Sequence, residues 1–231
     1  MTSIHLKKIS IFFFAVVPAL CLTGTTCAPD KPESRWEKAI AEFEKWDAKN
    51  SFPPDSVLFV GSSSIRLWET ARRFPEFPVI NRGFGGSTIH DINLFVERIV
   101  IKYRPKAIVF YAGDNDIAGE TPPERVKHNF TKFVQKVHTT LPGTPIVFIS
   151  IKASGARWSL WPKMQHANSL ISQYIAQNKN LHYLDLATPL LDQHGRPDDN
   201  LFIEDKLHLN QKGYDIWTKL LKTKLTQILQ P

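Results

Sequence analysis

Val57-Leu58-Phe59-Val60, followed at once by Gly61-Ser62-Ser63-Ser64, is the stretch on which the reading of this chain turns. An uninterrupted apolar run of that length reads as a strand buried in a parallel sheet, and the glycine and serines after it read as a strand-to-helix turn. Four more short apolar runs follow, at residues 79–81, 107–111, 146–151 and 181–184. Helical spacing fills the intervals at 88–103, 123–141 and 161–177, and a last helix spans 210–229 with Tyr214, Trp217, Leu221 and Leu225 on one face. Ahead of the first strand, Trp36, Ile40, Phe43 and Trp46 recur at helical spacing within 35–49. Strands alternating with helices predict a doubly wound, flavodoxin-like α/β fold: a single-domain, three-layer α/β/α sandwich around a five-stranded parallel sheet.

The chain has 231 residues, 42% hydrophobic and 22% charged, which suits one domain with a sizeable core. Lys7 and Lys8 precede an apolar stretch from Ile9 to Leu22, and Gly24, Thr25 and Thr26 follow. A basic start, an apolar segment shorter than the ~20 residues of a membrane span and small residues beyond it match a signal peptide over residues 1–27. Cleavage after Ala28 and lipid attachment at Cys27 are both open readings, the second giving a membrane-anchored lipoprotein. Either makes the protein exported, to the periplasm, cell envelope or exterior. Residues 28–34, with two prolines and no periodicity, read as a linker to a domain at 35–231.

Cys21 and Cys27 are the only cysteines, so the domain has no internal disulfide, no cysteine nucleophile and no thiolate metal ligand. Without Lys7 and Lys8 there remain 27 basic and 22 acidic residues, a charge of +5. No basic run or interleaved aromatic stripe points to nucleic acid.

In a doubly wound sheet, ligands bind beyond the carboxyl ends of the strands. The polar segments of this sequence fall there: residues 61–64 after the first strand, Gly83-Phe84-Gly85-Gly86 after the second, Gly113-Asp114-Asn115-Asp116 after the third, and Arg157-Trp158 soon after the fourth. Each alone has an ordinary reading, as a helix cap, a tight turn or an Asx turn. Ile65 stands where a Gly-x-Ser-x-Gly elbow needs its last glycine, and the third glycine of 83–86 comes too early for a dinucleotide fingerprint. Asp114 and Asp116 lack the further ligands of a metal loop. Asp205 and His208 are three apart before the last helix, a spacing that lets a carboxylate hold the imidazole proton and leave the other ring nitrogen as a base.

Four of these segments, Gly61-Ser62-Ser63, the stretch from Asn81 to Gly86, Gly113-Asp114-Asn115-Asp116 and Asp205-x-x-His208, together resemble the conserved blocks of the SGNH, or GDSL-type, serine esterase and lipase superfamily of acylhydrolases. The resemblance spans residues 57–217. It implies an SGNH hydrolase fold with Ser63 as nucleophile, Asp205 and His208 completing the catalytic triad, and an oxyanion hole of Ser63, Gly86 and Asn115. Ser62 stands where the family has Asp, which leaves Ser62 and Ser64 as rival hydroxyls. The implied activity is hydrolysis of short-acyl carboxylic esters, with small-molecule, carbohydrate or lysophospholipid substrates, and no cofactor or metal. Phe84, Ile117 and Trp158 are expected to rim the substrate site. An acyltransferase using the same site, and a non-catalytic binding module with a vestigial one, are the alternatives; the oligomeric state is open.

Overall fold

The computed structural model describes residues 35–229; the leader, Cys27 and the 28–34 linker lie outside the described residues. Five strands form one parallel sheet in the order β2-β1-β3-β4-β5: β1 Val57–Gly61, β2 Val79–Gly83, β3 Ala107–Tyr111, β4 Ile146–Ile149 and β5 Leu181–Leu184. Chain order reverses between β1 and β3, the place where such sheets open a crevice for ligands.

Alternation along each strand divides the core into two layers. Leu58, Val60, Ile108, Phe110, Ile146 and Phe148 face one side. There they meet the apolar faces of α1 (Glu37–Asp47), α4 (Ile89–Ile99), α6 (Pro123–Thr140) and α7 (Trp161–Ala176). Val57, Phe59, Val109, Tyr111, Val147 and Ile149 face the other, against α2 (Ser63–Arg66), α3 (Thr70–Arg73) and α8 (Gln211–Leu229). A further short helix, α5, spans Asp114–Ala118 beyond β3. Among the described residues no helix is long and apolar enough to cross a membrane.

Most boundaries move by one or two residues from the sequence expectation, and two of the differences have a clear local cause. The helix expected over 88–103 ends at Ile99 and passes into a 3-10 turn, Ile101–Tyr103. The β-branched run Ile99-Val100-Ile101 is a weak helix former, and Pro105 bars Arg104 from the right-handed helical region; Arg104 takes φ +46° instead. The fourth strand stops at Ile149 rather than Ile151. The Asn168 side chain of α7 claims both backbone groups of Ile151, accepting from its N–H at 2.8 Å and donating to its carbonyl at 2.9 Å, so the ladder cannot continue.

α1 is anchored from beneath: Arg98 of α4 pairs with Glu37 and Glu44, and buried Arg82 of β2 pairs with Asp47. This fixes Trp36, at the start of α1, over the turn that follows β2.

Candidate active site

Gly61 closes β1 and the next residue turns into α2. A side chain at Gly61 would put its Cβ 2.0 Å from the Tyr111 carbonyl, so only glycine lets β1 and β3 approach closely enough here. The turn buries Ser62 and Ser64, at 0% and 1% exposure, and leaves Ser63 half-buried on the cavity wall. Tyr214 of α8 donates to the Ser64 carbonyl at 2.9 Å, which ties α2 to the last helix.

His208 and Asp205 come from the loop ahead of α8. Asp205 Oδ1 accepts the backbone N–H groups of Leu207 and His208, both at 2.9 Å, and Lys206 takes φ +50° to close the turn. Asn210 donates to the carbonyls of Asn200 and Phe202 and accepts from the Gly213 N–H in the first turn of α8, so one side chain pins the loop to the helix. Residues 145 apart in sequence then meet: Ser63 Oγ lies 2.9 Å from His208 Nε2, and His208 Nδ1 lies 2.5 Å from Asp205 Oδ2. Burial pushes the Asp205 carboxyl up. The His208 ring and the two backbone N–H groups outweigh it and hold the group at about 2.

The opposite wall carries Gly85, Gly86 and Asn115. Gly86 adopts φ +75°, a region that glycine enters freely, beneath the Trp36 ring. The backbone N–H groups of Ser63 and Gly86 have no acceptor among the described residues. The Asn115 amide donates to the Ser87 carbonyl at 3.0 Å and accepts from Arg157 Nη2 at 3.0 Å. Behind it sits a buried charge cluster. Asp114 lies 3.3 Å from the fully buried Lys152 ammonium and 3.5 Å from Arg157, and Tyr111 donates to it at 3.2 Å. Burial pushes the Asp114 carboxyl up, but the two cations outweigh it and keep the group below its ordinary value; burial lowers Lys152.

The structure therefore brings Ser63, His208 and Asp205 into one row, with Gly86 and Asn115 facing the same cavity of about 440 Å³. It corrects the expected rim. Phe84 and Ile117, each 1% exposed, belong to the core. The Phe84 ring turns inward against Trp36 and Phe95, and Ile117 sits on the inner face of α5, so neither reaches substrate. Trp158 is half-buried, stacked on Trp161 and covered by Arg196, away from the cavity lining. In their place Arg66, Gly85, Arg157 and Leu207 line the site. Arg66 had a legible signal, its i+3 spacing from Ser63; Leu207 lay unremarked between the two triad candidates. Asp114 and Asp116 are engaged elsewhere, the second by the Ile89 N–H at 3.1 Å. Among the described residues no group of three or more His, Cys, Asp or Glu side chains is placed to hold a metal ion.

The GDSL-like lipase/acylhydrolase family model matches residues 66–216, and the chain belongs to that family. It is a carboxylic ester hydrolase. The match begins three residues past Ser63, so the nucleophile rests on geometry. The comparison with curated proteins gives no match. Solved structures share the fold. A Streptococcus pneumonia protein named for platelet activating factor is 22% identical, with 82% of this chain and 92% of that one covered and a TM-score of 0.74. A GDSL-like lipase from Bacteroides thetaiotaomicron is 21% identical, with 82% and 98% covered and a TM-score of 0.70. An acetyl xylan esterase from Geobacillus stearothermophilus is 16% identical, with 77% and 96% covered and a TM-score of 0.61.

Proposed function

We propose that the protein is an exported serine esterase that removes short acyl groups through an acyl-enzyme on Ser63. The observation that carries the reading is the continuous row from Ser63 Oγ through the His208 ring to Asp205, with contacts of 2.9 and 2.5 Å. His208 Nε2 takes the Ser63 proton as Oγ attacks the ester carbonyl, and ionised Asp205 stabilises the imidazolium that forms. The oxyanion is received by the Ser63 and Gly86 N–H groups and the Asn115 amide. The two N–H groups gain an acceptor only when negative charge develops, so they favour the transition state over bound ester. His208 then protonates the departing alcohol, and water repeats the sequence on the acyl-enzyme.

Short acyl groups are favoured because Leu207 is the one apolar side chain among the described residues that line the cavity, which leaves a long acyl chain little to pack against. Acetylated carbohydrate is the substrate class nearest to that description, and an acetyl xylan esterase shares the fold. Export rests on the pattern of residues 1–27.

The test is hydrolysis of p-nitrophenyl esters from acetate to palmitate by the domain, with Ser63→Ala as control. The expected result is turnover that falls steeply beyond butyrate and is lost in the variant. Near-normal turnover in folded Ser63→Ala overturns the nucleophile assignment. For export, N-terminal sequencing and lipid labelling of the full chain and of Cys27→Ser separate cleavage from lipidation, and a wholly cytoplasmic, uncleaved product sinks the localisation.

A further inference from the structure

Among the described residues, two cationic side chains, Arg66 and Arg157, line the cavity around Ser63, and no carboxylate does. The two arginines differ in what they are free to do. Arg157 is committed, donating to Asn115 and lying 3.5 Å from Asp114. Arg66 is exposed, and among the described residues its guanidinium has neither a carboxylate within 4.0 Å nor a hydrogen-bond acceptor. Arg72, Arg73 and Arg98 have carboxylate partners, whereas Arg104, Arg125 and Arg196, like Arg66, have none among the described residues; of these four only Arg66 lines the cavity.

The position of Arg66 is determined by the same turn that presents the nucleophile. It follows Ser63 by three residues in α2, so both side chains leave one face of the helix. Its guanidinium lies along the Gly85 backbone: a Cβ built at Gly85 would stand 2.9 Å from Arg66 Nε and 3.3 Å from Nη2. The absence of a side chain at residue 85 is what admits the arginine beside Gly86. Behind Asn115, Lys152 and Arg157 share the single carboxylate of Asp114, and ionised Asp205 sits on the far side of the His208 ring, so the charges of the cluster and the triad largely offset one another. Arg66 is left over as one exposed, unengaged planar donor set on the cavity wall.

We propose that Arg66 forms a subsite for an anionic group of the substrate, a carboxylate, sulfate or phosphate borne by the ester beyond its scissile carbonyl. The inference rests on Ser63 being the nucleophile. A guanidinium presents paired N–H donors that match the oxygens of such groups, and an exposed charge at a cavity mouth both holds and steers an oppositely charged ligand. Because the contact is remote from the reacting atoms, it binds ground state and transition state alike and is read in KM.

The experiment uses two matched ester pairs. 4-Acetoxybenzoate and its methyl ester differ in charge on the alcohol; the mono-4-nitrophenyl ester of succinic acid and 4-nitrophenyl butyrate differ in charge on the acyl group. In one pair, Arg66→Gln lowers kcat/KM for the charged member about five- to tenfold more than for the neutral member, mainly through KM. Arg66→Lys recovers part of the difference, and raising the salt concentration shrinks the wild-type preference. The pair that responds tells whether the anion sits on the alcohol or the acyl side. Wild-type enzyme that hydrolyses neutral esters, with Arg66→Gln altering charged and neutral members equally in both pairs, overturns the inference alone. Wild-type enzyme that hydrolyses neither member of either pair, and is not labelled at Ser63 by a fluorophosphonate, overturns the serine-esterase reading and this inference with it.

Discussion

Arg157 Nη2 donates to Asn115 Oδ1 across 3.0 Å, and this bond fixes the orientation of the Asn115 amide at the cavity wall. An amide can rotate by half a turn at little cost in shape. With Arg157 holding the oxygen and the Ser87 carbonyl accepting one N–H at 3.0 Å, the second N–H has no acceptor among the described residues and is free for the oxyanion role proposed above. Arg157 is held in turn by Asp114, whose charge is shared with buried Lys152.

Asn115→Ala is expected to lower kcat about a hundredfold or more, the usual cost of losing one oxyanion donor. Arg157→Ala should lower kcat by about tenfold with little change in KM, as an effect transmitted through Asn115. In the Asn115→Ala background the Arg157 substitution should cost almost nothing further, because the two act as one unit. Steady-state kinetics on the four proteins closes the cycle. Additive losses would mean that Arg157 acts on something other than the amide.

Ser62 and Ser64 bear hydroxyls that are buried without any hydrogen-bond partner among the described residues. Neither lines the cavity, so Ser62→Ala and Ser64→Ala should retain near wild-type turnover. Removing a buried, unsatisfied hydroxyl also lifts a desolvation cost, so both variants should melt at or slightly above the wild-type temperature. A variant that folds normally yet loses activity would reopen the choice of nucleophile.

The strands and the parallel sheet were legible because apolar runs and turn residues are local signals, whereas the meeting of residues 61–64 with 205–208 was expected only from the family resemblance. Side-chain direction was not. Phe84 sits between glycines in a loop at the mouth of the sheet, which suggested a rim residue; its ring turns inward because Trp36, far earlier in the chain, packs against it edge-on. Ile117 follows two polar residues, yet the short helix it lies in points it at the core. Lys152 directly follows the apolar run of β4 and Ser150-Ile151, and only the fold reveals that Asp114, at the start of α5, is there to receive it. The end of β4 was hidden for a similar reason, since Asn168 reaches Ile151 across 17 residues.

Asp205 bears on the pH profile. Its carboxyl titrates at about 2, so its charge does not change across the range in which an esterase is assayed. Asp205 should therefore add no ionisation to the acid limb of kcat/KM between pH 4 and 8. Replacing Asp205 by Asn should lower kcat severely without removing an ionisation from that limb. An ionisation near pH 4 that disappears in Asp205→Asn would mean that the carboxylate is less firmly held than its three donors suggest.

Asp116 makes stability depend on pH in the opposite sense from a salt-bridged acid. Burial is the main cause that pushes its carboxyl up to about 7, with the charge of Asp114 adding to it against the Ile89 N–H. An unfolded Asp titrates near 4, so between about pH 4 and about 7 the folded protein holds a proton that the unfolded chain has lost. More protons bound in the folded state means that stability falls as pH rises through that window and levels off above it. Asp116→Asn keeps an oxygen for the Ile89 N–H and removes the ionisation. Its melting temperature should match wild type near pH 4, exceed it increasingly up to about pH 7 and keep a constant margin above that. Parallel melting curves for the two proteins across that range would show that Asp116 ionises in the fold at no cost.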